Sequence, residues 1–202
     1  TTFYYTFFGT IGSIVFGILA AQLVNQKFFG RTFMRSILLF PYVGPVVALA
    51  YTWELLLDPY SGTLNNLLLN FQVIQEPLNL LGQKYLTINF FGFDLKLRLA
   101  LTTVIIFEIW RYFPLAFLFI LARLQAVPKE LYEAADVDGA GPIQKFISIT
   151  LPQIMAVISI LFMIRFIWNF NKFEDIFLLT GGASGTRTLP INVYEQGFTI
   201  SD

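Results

Sequence analysis

Residues 1–26 contain no charged side chain. A water-soluble helix of that length shows a polar face every turn, and this run has no room for one. A bilayer crossing needs about 20 predominantly apolar residues, so the run reads as a spanning helix. It is not a signal peptide, because it lacks a basic n-region and exceeds the usual apolar h-region. Three further runs follow. Residues 36–53 are uncharged, residues 99–121 are apolar apart from Glu108 and Arg111, and residues 146–164 are uncharged and lead past Arg165 into Phe-Ile-Trp-Asn-Phe. This pattern predicts an all-α integral membrane protein with four spanning helices, near 3–24, 36–57, 99–121 and 153–171.

Composition narrows the chemistry. The chain is 56% hydrophobic and 13% charged, against about 25% charged in an ordinary soluble domain. It has no His and no Cys. Thiolate nucleophiles, Cys or His metal sites, disulfides and imidazole acid–base chemistry are therefore excluded. Formal net charge is zero and the basic residues do not cluster, so nucleic acid is not an expected partner. Lipid is the expected surround. A membrane-embedded enzyme would need a catalytic cluster near the interface. The acids concentrate instead in one loop, with no His or Cys to support them.

Loop charge sets the orientation. Residues 25–35 carry Lys27, Arg31 and Arg35 and no acid, whereas in residues 58–98 Lys84, Lys96 and Arg98 are diluted by Asp58, Glu76 and Asp94. Lys and Arg density in short loops marks the cytoplasmic side. The expected topology places 25–35 and 122–152 inside, 58–98 and 172–202 outside, and both chain ends outside. The outer loop holds Asp-Pro-Tyr-Ser-Gly, a turn leading into a short helix, and an aromatic alternation around Gly92 that suggests a small hairpin. No internal repeat is present, and the chain reads as one membrane domain, 1–202. The glycine-rich stretch 180–186 lacks the Gly-Lys-Ser/Thr ending of a phosphate loop.

The most polar part of the chain is the module Val-Pro-Lys-Glu-Leu-Tyr-Glu-Ala-Ala-Asp-Val-Asp-Gly-Ala-Gly-Pro, residues 127–142. Pro128 suits the start of a helix, and Glu130 in the first turn suits its dipole. Leu131, Ala134, Ala135 and Asp138 recur at i, i+3, i+4 and i+7 and share one narrow face. Gly139 stands where a helix-ending glycine belongs, and Pro142 can open a second short helix. Two short helices on a Gly-Ala-Gly bend, held between spanning helices, can present a knob to a partner and pass force. An ordinary amphipathic loop accounts for the same residues.

This stretch resembles the EAA motif of permease subunits in binding-protein-dependent ABC importers. The motif runs Glu-Ala-Ala, three residues, Gly, nine residues, Ile-x-Leu-Pro, and Glu133, Ala134, Ala135, Gly139, Ile149, Leu151 and Pro152 match it in register, with Asp138 as the common acid before Gly. Residues 28–68 and 168–198 look like the flanking regions of sugar permeases of the maltose-transporter type, including the Leu-Thr-Gly-Gly…Thr…Tyr…Phe pattern. The resemblance implies that loop 127–152 docks on an ATP-hydrolysing subunit. It further implies a second permease subunit (identical or different), two ATP-binding subunits and an external solute-binding protein. No cofactor is implied, since ATP is bound by a partner. The implied setting is the bacterial or archaeal cytoplasmic membrane. It also implies one further spanning helix before Thr1 and one after Asp202, making the chain part of a six-helix permease core. The expected cargo is a sugar or oligosaccharide. Another small solute (an amino acid, peptide or polyol phosphate) and a stand-alone channel or carrier are the alternatives.

Residues that could meet a solute come from the spans. Glu108 and Arg111 stand at i, i+3 and can pair, and Arg165 lies midway along the fourth span. Charges at that depth face protein or a water-filled cavity, so these three either lock helices together or line a path. Trp168, Asn169 and Asn171 offer a ring face and amides suited to sugar C–H faces and hydroxyls. A tryptophan near a helix end also suits the interfacial belt, as does Trp53. Pro41, Gly44, Pro45 and Pro114 can kink their helices.

Overall fold

The computed structural model describes residues 1–26, 28–90 and 93–198. Three long helices dominate. They are α1 (Thr2–Asn25), α5 (Leu99–Gln125) and a continuous 29-residue helix, Pro142–Phe170. The last consists of α7 (Pro142–Lys145), a π-helical turn (Phe146–Thr150) and α8 (Leu151–Phe170). Each of the three is long and apolar enough to cross a membrane.

The surface of α1 shows why. Thr6, Thr10 and Ser13, at i, i+4 and i+7, are buried, while Phe3, Phe16, Leu19 and Leu23 are exposed. A helix in water does the reverse, because apolar burial is what drives packing there. In hydrocarbon the outside can be as greasy as the lipid, and small hydroxyl residues let helices approach.

Two expectations need correction. The span expected at 36–57 is broken. It divides into α2 (Arg31–Val43) and α3 (Val46–Leu57), bent by 95°. Pro45 has no N–H and disfavours helical backbone at Gly44, and Gly44 has the weakest helix propensity after proline. Pro41 and Pro114, by contrast, sit inside continuous helices. The span expected at 153–171 begins earlier, since the helix runs through Leu151 and Pro152 without a break. The π-helical turn just before Pro152 shifts the bonding ladder where proline offers no donor.

The chain forms two compact units. One comprises residues 10–43 and 109–167. Its core interleaves Ile14, Ala21 and Val24 of α1 with Phe117 and Ile120 of α5 and Ile154 and Leu161 of α8. The other comprises residues 1–9, 44–108 and 168–202. There α3 packs against α4 (Thr63–Asn70) and α9 (Glu174–Thr180). The expected hairpin is present, with β1 (Leu86–Phe90) antiparallel to β2 (Phe93–Leu97) in the register Leu86↔Leu97. Its turn at Gly92 lies outside the described residues, as does Lys27.

The expected turn is an Asx turn. Asp58 Oδ1 accepts from the Tyr60 and Ser61 amides at 3.0 and 2.7 Å and from the Ser61 hydroxyl at 2.8 Å. Those three donors hold the Asp58 carboxyl below its ordinary pKa, the Ser61 amide most of all. Buried Asn65 then pins the following loop, donating to the Leu78 carbonyl at 3.0 Å and accepting from the Leu78 amide at 2.9 Å. Ser184 donates to the Gly82 carbonyl at 2.7 Å, fastening the 180–186 turn to the same loop. Phe173, Phe177, Tyr194 and Phe198 form an aromatic ladder between α9 and α10 (Leu189–Phe198).

Candidate functional site: a helix–bend–helix module and two buried polar groups

The module around Glu133 folds as its sequence dictates. α6 (Lys129–Val137) starts after extended Pro128, with Glu130 in its first turn. It ends in a Schellman motif. The Ala140 amide donates to the Ala135 carbonyl at 2.9 Å and the Gly139 amide to the Asp136 carbonyl at 3.1 Å. Gly139 has φ +74°, a conformation costly for any side chain with a β-carbon. Gly141 then caps α7, with Pro142 at its first position.

Side chains lock this shape from both ends. Lys145 pairs with Asp136 across the bend. Tyr132 Oη and Thr150 Oγ1 are 2.9 Å apart, tying α6 to the π-helical turn. Arg123 in the last turn of α5 donates to the Gln153 carbonyl at 2.9 Å and to Gln153 Oε1 at 2.7 Å. The EAA positions divide by exposure. Glu133, Ala134, Asp138, Gly139 and Pro152 are exposed, whereas Ala135, Ile149 and Leu151 are half-buried in their own chain. The single face expected for Leu131, Ala134, Ala135 and Asp138 is thus open except at Ala135. Two side chains absent from the motif stand out instead: Val137 is 88% exposed and Ile143 is 76% exposed. Their lack of i, i+3 spacing hid them in the sequence.

The expected solute-path residues fall into two buried groups, one in each unit, with Trp168 and Asn171 left exposed. In the first group Glu108 is fully buried and accepts a hydrogen bond from Tyr5 at 2.9 Å. Asn169 is buried beside it. A β-carbon added at Gly9 would lie 3.1 Å from Glu108 Cγ and 3.2 Å from Asn169 Nδ2. In the second group both guanidiniums lie over one ring. The guanidinium of Arg165 is 4.2 Å, and that of Arg111 5.1 Å, from the centre of Tyr112. Tyr5 and Tyr112 carried no sequence signal, since each is one aromatic among many in an apolar run. Trp53 meets the Phe107 ring edge-on at 5.2 Å and helps line an apolar cavity of about 410 Å³ with Leu57, Leu67, Leu80 and Ile106. Among the described residues no cluster of acidic side chains could hold a metal ion.

Known proteins are similar to this chain along nearly its whole length. An inner membrane ABC transporter permease protein, YcjO of Escherichia coli K12, is 35% identical over 201 residues, covering 100% of this chain and 64% of its own length. The trehalose/maltose transport system permease protein MalF of Thermococcus litoralis is 34% identical over 179 residues, covering 89% of this chain and 56% of its own length. The chain therefore spans about two thirds or less of these relatives. A bacterial alginate ABC transporter, solved with an alginate pentasaccharide-bound periplasmic protein, has a chain of the same fold, with a TM-score of 0.80 at 24% identity over 99% of this chain and 66% of that one. Residues 13–199 match the family described as the binding-protein-dependent transport system inner membrane component, and to that family this chain belongs.

Proposed function

We propose that the chain is a multi-pass subunit of the cytoplasmic membrane that forms part of the translocation path of an ATP-driven sugar or oligosaccharide importer. In this reading residues 128–152 dock on an ATP-hydrolysing subunit, a second permease completes the path, and an external binding protein delivers cargo. The observation that carries it is the Schellman-capped α6 and its bend, joined without a break to the 29-residue apolar helix Pro142–Phe170. A knob on a stiff rod suits the transfer of motion from a soluble motor. The sequence likeness to a trehalose/maltose permease supports a sugar. No ATP site of its own is needed.

A second cargo reading is an anionic polyol. The sequence likeness to the sn-glycerol-3-phosphate transport system permease protein UgpA of Escherichia coli, 32% identical over 206 residues, supports it.

The full-length permease would be co-expressed with its ATPase subunits and assayed by pull-down and by uptake of radiolabelled maltose. Ala134→Trp adds bulk on the open face of α6. Overpacking of a fitted contact costs about 1–3 kcal/mol, so docking should weaken roughly 5- to 150-fold. The ATPase subunit should be lost while membrane insertion stays normal. Wild-type pull-down and uptake with Ala134→Trp would refute the docking role. Competition of maltose uptake by sn-glycerol 3-phosphate, but not by trehalose, would favour the anionic cargo.

A further inference from the structure

The Tyr112 ring does more than receive Arg165. It also meets the Tyr42 ring edge-on, with centroids 6.0 Å apart and planes at 76°. Tyr42 is the second-last residue of α2, immediately before the Gly44–Pro45 break. At that break the backbone ladder cannot continue, because Pro45 has no N–H to donate. The end of α2 therefore depends on side-chain contacts for its placement. Arg165, whose guanidinium lies over the Tyr112 ring at 4.2 Å, is 1% exposed. A desolvated guanidinium over an aromatic face is the strongest form of this contact, and the planar group stacks where an ammonium would not. Arg165 sits on the same unbroken helix as Pro142, about 35 Å away at roughly 1.5 Å per residue.

We propose that Tyr112 is the positioning residue of coupling. Its ring clamps the end of α2 to the rod that begins in the 128–152 module, so that displacement of the module reaches the Gly44–Pro45 break. The proposal rests on the docking role given above to that module. Arg111, over the same ring at 5.1 Å, adds a second cation that holds the ring's electron-rich face in place. The ring, not the hydroxyl, is the working part.

The test needs no knowledge of the cargo. In the full-length permease, with any cysteine outside residues 1–202 replaced by serine and assembled with its ATPase subunits and partner permease, Val43→Cys reports beside the break, at a side chain that is 77% exposed. Its maleimide labelling rate would be compared without nucleotide and after trapping with ATP and vanadate. The expected result is a change of at least fivefold in the otherwise wild-type background and in Tyr112→Phe, falling below twofold in Tyr112→Leu and Tyr42→Leu. Co-purified ATPase subunit and basal ATP hydrolysis should be equal in all four. A wild-type response in Tyr112→Leu or Tyr42→Leu would overturn the proposal. So would a Tyr112→Phe as damaged as Tyr112→Leu, or no nucleotide response at Val43→Cys in the wild-type background. Failure of Tyr112→Leu to assemble would make the ring a packing element only, and would overturn it too. Failure of the wild-type chain to retain any ATPase subunit would instead defeat the docking role itself.

Discussion

Tyr5 illustrates how much rests on one hydroxyl. Glu108 is fully buried, and Tyr5 donates to it at 2.9 Å. A charge at bilayer depth costs about 2.5–3.5 kcal/mol on insertion scales, so each donor offsets part of that. Tyr5→Phe should lower the stability of the assembled permease by about 1–3 kcal/mol, read as a fall in its melting temperature in detergent. Gly9→Val should be at least as damaging, since its side chain would press on Glu108 and Asn169. An unchanged melting temperature in both would mean that the group is dispensable. Asp58 makes a pH prediction. Its folded pKa is lowered by the Ser61 and Tyr60 donors, so its contribution is complete above the unfolded value of about 3.9 and is lost only as pH falls through the lower folded value. A carboxyl titration followed by NMR should place the Asp58 midpoint below that of a model peptide, and Ser61→Ala should raise it.

At the scale of elements, the bend between α6 and α7 depends on a residue that accepts positive φ. Gly139 has φ +74°, and nothing lies within 4 Å of where its β-carbon would be. Space is therefore not the obstacle, and the whole penalty is in the backbone, about 1–2 kcal/mol for an L residue. A β-branched side chain makes this worse. Gly139→Val should insert normally and lose ATP-driven uptake, because α7 and the rod behind it would be re-aimed. Full uptake would show the module to be a tether. Hydropathy foresaw α1 and α5 closely. It misjudged the second span because a window average is blind to direction: residues 36–57 stay apolar straight through the 95° bend. Proline alone does not mark such a break, for α2 and α5 contain Pro41 and Pro114. Gly44 followed by Pro45 removes both the propensity and the donor at one point.

For the molecule as a whole, orientation is the open prediction. Basic residues 31 and 35 put the 25–35 loop in the cytoplasm, and the mixed charges of 58–98 put that loop outside. Phe29→Cys and Asp94→Cys, both at exposed positions, should react with a membrane-impermeant maleimide from opposite sides, Asp94→Cys from outside. Reaction of Asp94→Cys only in inverted vesicles would reverse the topology and remove the 128–152 module from any cytoplasmic motor.

What the sequence determined alone was whatever is local. An uncharged 26-residue run has no stable place in water under any tertiary arrangement, and the glycine and prolines at 139, 142 and 128 specify a capped helix, a bend and a restart wherever they lie. The EAA spacing adds a likeness that the family match bears out at the level of the whole chain. Only the tertiary structure decided which tyrosines serve the buried charges. Tyr5 and Glu108 are 103 residues apart, and Tyr112 joins Tyr42 to Arg165 across three helices. No period along the chain encodes such partners. In hydrocarbon every apolar face is acceptable outside, so the polar residues, through the partners they find, set how the helices meet.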